Sequence, residues 1–315
     1  MRVTEDVLGQ PFTAETIELA PDFEGDVSAT LVRLSAAQPT HRAVLYVHGF
    51  SDYFFQRELA QWWVDRGYDF YAIDLRKYGR SMRPHHTKGY VPALSQYDEE
   101  LDAAWGLITE RDGHTQVILS GHSTGGLTTS LWADRRRPQE MIGMVLNSPW
   151  LDLQGKPAER VILTAAAWIG AKVAPMKVIP RQVSGLYAES LHRDHGGEWE
   201  FNYDWKPHGS FPIALGWVNA IRRGHARVHK GLSIPVPVLV LSSNASTWPT
   251  EPAPEVHTHD IVLDVDQIRR WSTALGPKVT FAAIPGALHD VILSAPAVRQ
   301  AAYSTVDDWL VANQF

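Results

Sequence analysis

Short runs of β-branched and apolar residues alternate with helix-like patterns along most of this chain. That alternation restricts the fold more than any other feature, because it is the signature of a parallel sheet with crossover helices. Ala43–Val47 is a continuous apolar run bounded by Arg42 and Gly49, as a strand buried on both faces should be. Gln56–Arg66 follows with helical spacing and stops at Gly67. Phe70–Leu75, Val117–Ser120 and Met141–Asn147 read as further strands. Helices are expected over Tyr97–Glu110, through Leu101, Ala104, Trp105 and Ile108, and over Leu127–Arg135. Ser28–Leu34 alternates, which suits an early antiparallel strand. The pattern stops near Leu151. It resumes with strand Val236–Ser242, helix Asp266–Leu275, strand Val279–Ile284 and helix Pro296–Ala312. The expected organisation is an α/β core of residues 1–150 and 236–315, with an inserted cap over 151–235, since an irregular stretch of that length fits a lid better than a loose loop.

Charge sets the insert apart. Residues 151–235 carry 11 Lys+Arg and 7 Asp+Glu, a balance of +4; the remainder carries 18 and 28, a balance of −10. The net charge of −6 over 315 residues argues against nucleic-acid binding. The chain has no Cys, which excludes disulfides, Cys-based zinc sites, iron–sulfur clusters and a thiol nucleophile, and fits a cytoplasmic location. The N-terminus has no apolar h-region of a signal peptide. The longest apolar stretch, Val161–Ala171, is interrupted by Thr164 and falls short of the roughly 18–20 residues of a membrane span.

The strongest local signal is Gly121-His122-Ser123-Thr124-Gly125, a G-x-S-x-G sequence lying after a strand and before a helix. A strand-to-helix turn this tight forces the central Ser into a strained conformation with its hydroxyl exposed, above a helix N-terminus that favours negative charge. A Ser hydroxyl needs a base to take its proton. His289, on the loop after Val279–Ile284, is the expected base. The third member should be a carboxylate between Val236–Ser242 and His289 that fixes the His tautomer. Glu251, Glu255, Asp260, Asp264 and Asp266 all lie there; Asp260 is chosen because Ile261-Val262-Leu263 would anchor its loop, whereas Asp264 or Asp266 suits the start of the next helix. Asp290 is expected to be structural. The backbone N–H groups of Thr124 and of Phe50, in His48-Gly49-Phe50, are the expected oxyanion donors, and His48 is expected to support that loop by hydrogen bonding.

His48-Gly49-Phe50, the Asp74-Leu75-Arg76…Gly79-Arg80-Ser81 turn, Gly121–Gly125, Asp260 and His289 together resemble the α/β-hydrolase superfamily. More narrowly they resemble its monoacylglycerol lipase, lysophospholipase and serine-aminopeptidase-like branch. The resemblance covers roughly residues 28–150 and 236–312. It implies a mostly parallel eight-stranded sheet, a serine triad, an acyl-enzyme intermediate and no cofactor. The chain departs from relatives at Lys77 and Tyr78, in a turn that often carries Gly, and at Ser51, where many lipases have a further Gly. Its acid loop, Ser243–His259, is also unusually long and Pro-rich.

The insert contributes Trp168, Trp199, Trp205 and Trp217, the expected lining of an acyl or aryl pocket. Val161–Ile169 reads as a helix buried against the core, with weak contact to a lipid interface as the alternative. Arg222, Arg223, Arg227 and Lys230 read as a solvated helix face. His257-Thr258-His259-Asp260 lacks the four ligands of a closed metal site, so no metal is expected. The expected reaction is hydrolysis of small to medium acyl esters, with a small-molecule ester as partner. The same machinery acting on an amide, thioester or carbon–carbon bond, and a noncatalytic binding module, are the alternatives.

Overall fold

The structure, a computed structural model, describes residues 3–180 and 184–315. Among the described residues, nine strands form one sheet: β1 (Val3–Glu5), β2 (Thr13–Glu18), β3 (Ser28–Leu34), β4 (Arg42–Val47), β5 (Asp69–Asp74), β6 (Gln116–His122), β7 (Met141–Asn147), β8 (Val238–Ser243) and β9 (Val279–Ile284). Their order is β1-β2-β3-β5-β4-β6-β7-β8-β9. β1, β2 and β3 run antiparallel, β3 is antiparallel to β5, and the rest pair in parallel. The sheet exceeds the expected eight strands. β1 is three exposed residues and β2 is only partly buried, so neither leaves a clear apolar pattern.

Helices α1 (Arg57–Val64), α2 (Asp98–Gly106), α3 (Thr124–Arg136), α4 (Pro157–Val173), α5 (Leu186–Leu191), α6 (Leu215–His229), α7 (Val265–Ser272) and α8 (Pro296–Ala312) complete the fold. The central strands are buried on both faces, which explains their unbroken apolar runs. α1 and α8 cover one face through Trp62, Trp63, Tyr303 and Trp309; α2 and α3 cover the other through Leu101, Trp105, Leu127 and Trp132. The strand order reverses at β4, which has β5 on one side and β6 on the other. A crevice therefore opens beyond the carboxyl ends of β4 and β6, where α/β sheets bind ligands.

The segment between β7 and β8 carries α4, α5 and α6. α6 buries Trp217, Val218, Ile221 and Val228 and packs on α3 and α4. α4 differs from the expected buried helix. Only Ala167 is buried, and Val161, Ile162, Trp168, Ile169 and Val173 are exposed. α4 meets α6 rather than the sheet, so one narrow stripe satisfies its packing. The basic cluster is also not simply solvated: Arg222 pairs with Asp152 at 2.7 Å and Arg227 with Asp134 at 2.6 Å, tying α6 to the core. No helix among the described residues is long and apolar enough to cross a membrane.

Candidate functional site

Ser123 sits between β6 and α3 with φ 53° and ψ −117°, a backbone conformation L-residues adopt only under constraint. The constraint is steric. A side chain at Gly121 would lie 2.8 Å from the Gly125 carbonyl oxygen, and one at Gly125 would overlap the Val47 and His48 carbonyls at the end of β4. Both flanking glycines are thus required by the close approach of β4, β6 and α3. The Ser123 carbonyl is held by Leu127 N–H at 3.2 Å and Trp150 N–H at 2.9 Å.

The Ser123 hydroxyl lies 3.0 Å from His289 Nε2, and His289 Nδ1 lies 2.9 Å from Asp260 Oδ2. All three residues are buried. With the imidazole neutral, a carboxylate at Nδ1 places the ring proton there and leaves Nε2 to accept from the hydroxyl. The other Asp260 oxygen, Oδ1, accepts the N–H groups of Val262 and Leu263, each at 2.8 Å. The Asp260 backbone also bonds to Ala245 O and Thr247 N. Asp264 instead caps α7, accepting from Asp266 N–H. His257 is exposed, and the described residues hold no cluster of three or more His, Asp or Glu placed to bind a metal. Asp290, next in sequence to His289, is buried and held by neighbours: Asn147 Nδ2 donates to its Oδ1 at 2.6 Å and Gln56 Nε2 to its Oδ2 at 3.3 Å.

Phe50 and Thr124 both border the same cavity as Ser123. Leu75 N–H donates to His48 Nε2 at 3.1 Å, so the ring proton sits on Nδ1 and donates to Gly49 O at 2.7 Å. In a trans peptide the N–H points away from the C=O, so anchoring the Gly49 carbonyl fixes the direction of the Phe50 N–H. The Phe50 ring is wedged against Trp217, 4.0 Å between centroids, with Phe211 at 5.9 Å. Burial lowers the His48 pKa, which keeps this ring neutral. Ser51 and Lys77, the departures at expected Gly positions, both have positive φ, 56° and 66°. Each is held by partners: Ser51 Oγ accepts Phe211 N–H, and buried Lys77 Nζ pairs with Asp22 and Glu24, each at 2.6 Å.

The cavity has a volume of about 290 Å³. Of the four tryptophans of the insert, only Trp217 lines it. Trp168 is 53% exposed and borders a separate groove between α4 and α6. Trp199 donates to Leu293 O and packs on Phe55, and Trp205 packs edge-on against Tyr53 at 5.0 Å. These two fix the 192–206 segment to the loop after β4, a packing role that aromatic content alone does not distinguish from a pocket role.

Sequence reasoning overlooked a buried pair in the cavity wall. Lys206 Nζ lies 2.8 Å from Asp52 Oδ1, and His122 Nδ1 lies 3.5 Å from Asp52 Oδ2. Burial alone would raise the Asp52 pKa, but Lys206 and His122 hold the carboxyl well below the usual range. Phe55, Phe201 and Tyr187 surround the ammonium at 5.6–5.8 Å. The sequence signal was faint: a short acid two residues past Phe50, and a lysine in a Trp/Tyr/Phe-rich stretch 154 residues later.

The serine aminopeptidase, S33 family of hydrolases matches residues 38–251, more than half of the chain. Phospholipase YtpA of Bacillus subtilis (strain 168) is 32% identical over 114 residues. That stretch is 36% of this chain and 42% of the relative, so the match spans about two fifths of the relative's length. Among solved structures, a soluble variant of monoglyceride lipase from Saccharomyces cerevisiae, in complex with a substrate analogue, superposes with TM-score 0.69 at 16% identity, covering 95% of this chain and 96% of that one. Monoacylglycerol lipase from Paleococcus ferrophilus gives 0.66 at 22% identity, covering 90% and 99%. The chain therefore has the α/β-hydrolase fold and belongs to the serine aminopeptidase, S33 family of hydrolases.

Proposed function

We propose that the protein is a serine ester hydrolase acting on small to medium acyl esters through an acyl-enzyme intermediate. The observation that carries this reading is the continuous relay Asp260–His289–Ser123, with both hydrogen bonds within 3.0 Å, opening into a mostly apolar cavity. Ser123 Oγ attacks the ester carbonyl while its proton moves to His289 Nε2; Asp260 stabilises the imidazolium. The N–H groups of Phe50 and Thr124 hold the developing oxyanion. The tetrahedral intermediate collapses, His289 gives its proton to the departing alkoxide, and an ester to Ser123 remains. A water then loses its proton to His289 and attacks that ester, releasing the acid and returning the proton to Ser123. No cofactor takes part. The insert between β7 and β8 acts as the cap that closes this site, with Trp217 as its substrate-facing aromatic.

The family also contains aminopeptidases by description, and a peptidase needs a free acid to hold a substrate ammonium. Asp52 is the acid of this cavity, but Lys206 already balances its charge at 2.8 Å. This favours a neutral ester over a peptide with a free amino terminus. An alkyl fluorophosphonate tests the reading. It is expected to modify Ser123 in the native protein and to leave folded Ser123→Ala unlabelled. Absence of labelling in the folded native protein, together with no hydrolysis of p-nitrophenyl esters, refutes it.

A further inference from the structure

We infer that Trp248, on the long loop after β8, closes the apolar end of the cavity and sets the length of acyl chain it accepts. The inference rests on the ester-hydrolase reading above. Trp248 lines the cavity that holds Ser123, yet it is 51% exposed, which places it at the cavity's mouth. Ile261, Val262 and Leu263 line the same cavity from the segment that follows Asp260. This loop and that segment therefore build one apolar wall.

The wall is tied to the triad acid. Asp260 N–H donates to Ala245 O at 3.0 Å, and Thr247 N–H donates to Asp260 O at 3.1 Å. Ser246 Oγ donates to Leu263 O at 2.8 Å and accepts Val265 N–H at 2.9 Å. Trp248 follows this ladder by one peptide and precedes Pro249, whose ring restricts the backbone of the residue before it. An exposed tryptophan is thus carried on a short bonded strip, not on a free loop.

The cavity's 290 Å³ gives a scale. That is at the lower end of the roughly 300–1,000 Å³ of small-molecule sites, which suits an ester group with a short acyl chain. A longer chain must pass the mouth, where the indole stands.

The test compares kcat/KM for p-nitrophenyl butyrate and p-nitrophenyl laurate, below micellar concentrations, in the native protein and in Trp248→Ala, Trp248→Phe and Trp168→Ala. Trp248→Ala is expected to raise the laurate-to-butyrate ratio about tenfold, the gain from seating roughly two further methylenes. Trp248→Phe is expected to raise it less, because a ring still stands at the mouth. Trp168→Ala, outside the cavity, is expected to leave the ratio unchanged. A ratio in Trp248→Ala that falls, or stays within twofold of the native value, overturns the inference alone. A native protein that hydrolyses neither ester and resists fluorophosphonate overturns the hydrolase reading and this inference with it.

Discussion

Replacing Asp260 by Asn changes one atom, and the surrounding hydrogen bonds determine which way the new amide turns. Asp260 Oδ1 accepts two backbone N–H groups, from Val262 and Leu263, while Oδ2 faces His289 Nδ1. An asparagine has one oxygen, and only an oxygen satisfies the two N–H donors. Each such bond contributes about 1 kcal/mol, and turning the NH₂ toward them would leave both donors unpaired. The amide nitrogen is therefore presented to His289. Its N–H donates to Nδ1, the ring proton moves to Nε2, and the lone pair that should accept the Ser123 proton is lost. Loss of the correct tautomer in a serine triad costs about 10⁴ in kcat, or roughly 5.5 kcal/mol. Steady-state hydrolysis of p-nitrophenyl butyrate measures it, with circular dichroism to verify the fold. KM should change little, because Asp260 does not border the cavity. Asp264→Asn is the matched control: Asp264 caps α7, and Asn caps as well as Asp, so its kcat should stay within about twofold. Folded Asp260→Asn with more than a tenth of native kcat, or a comparable loss in Asp264→Asn, refutes the assignment.

Two further predictions concern stability. Lys206→Met strands the Asp52 carboxylate in a buried site, at a cost of about 3–5 kcal/mol. Chemical denaturation should register that loss, and adding Asp52→Asn should restore most of it; a loss below about 1 kcal/mol would show the pair to be dispensable. His225 is fully buried, accepts from Arg222 and donates to Trp150 O, and burial followed by the Arg222 charge pushes its pKa down to about 3. Unfolded chains therefore take up this proton first as pH falls from about 6.5 toward 3, and stability present above 6.5 is lost across that window by up to about 1.4 kcal/mol per pH unit. His225→Gln should flatten the slope of unfolding free energy against pH there; an unchanged slope would mean that His225 titrates normally.

The parts of this protein that could be read along the chain are those governed by neighbours in sequence. The elbow is largely one: a side chain at Gly121 would meet the Gly125 carbonyl within the same five-residue turn, although Gly125 is required by the distant β4. Met141–Asn147, Val279–Ile284 and Pro296–Ala312 coincide with β7, β9 and α8: β7 is buried on both faces and reads as an unbroken apolar run, while β9, at the sheet edge and only partly buried, still shows as a short β-branched and apolar run, and α8 carries a helical period. Chain order points to His289 and leaves five candidate acids, and in the structure it is Asp260 that lies 2.9 Å from His289, which in turn lies 3.0 Å from Ser123. The order of strands around β4, which opens the crevice they occupy, is not written in any single segment.

Direction and partnership needed the folded chain. Trp168, Trp199, Trp205 and Trp217 are alike as sequence, yet only Trp217 turns into the cavity. Apolar α4 leaves most of its surface uncovered because its main neighbour among the described residues is α6. Asp52 and Lys206 meet across 154 residues. Local stereochemistry and hydrophobic period act over a few residues, so a sequence carries them openly. Which side chain faces which depends on long-range packing, where burial, charge pairing and exclusion of water are settled together.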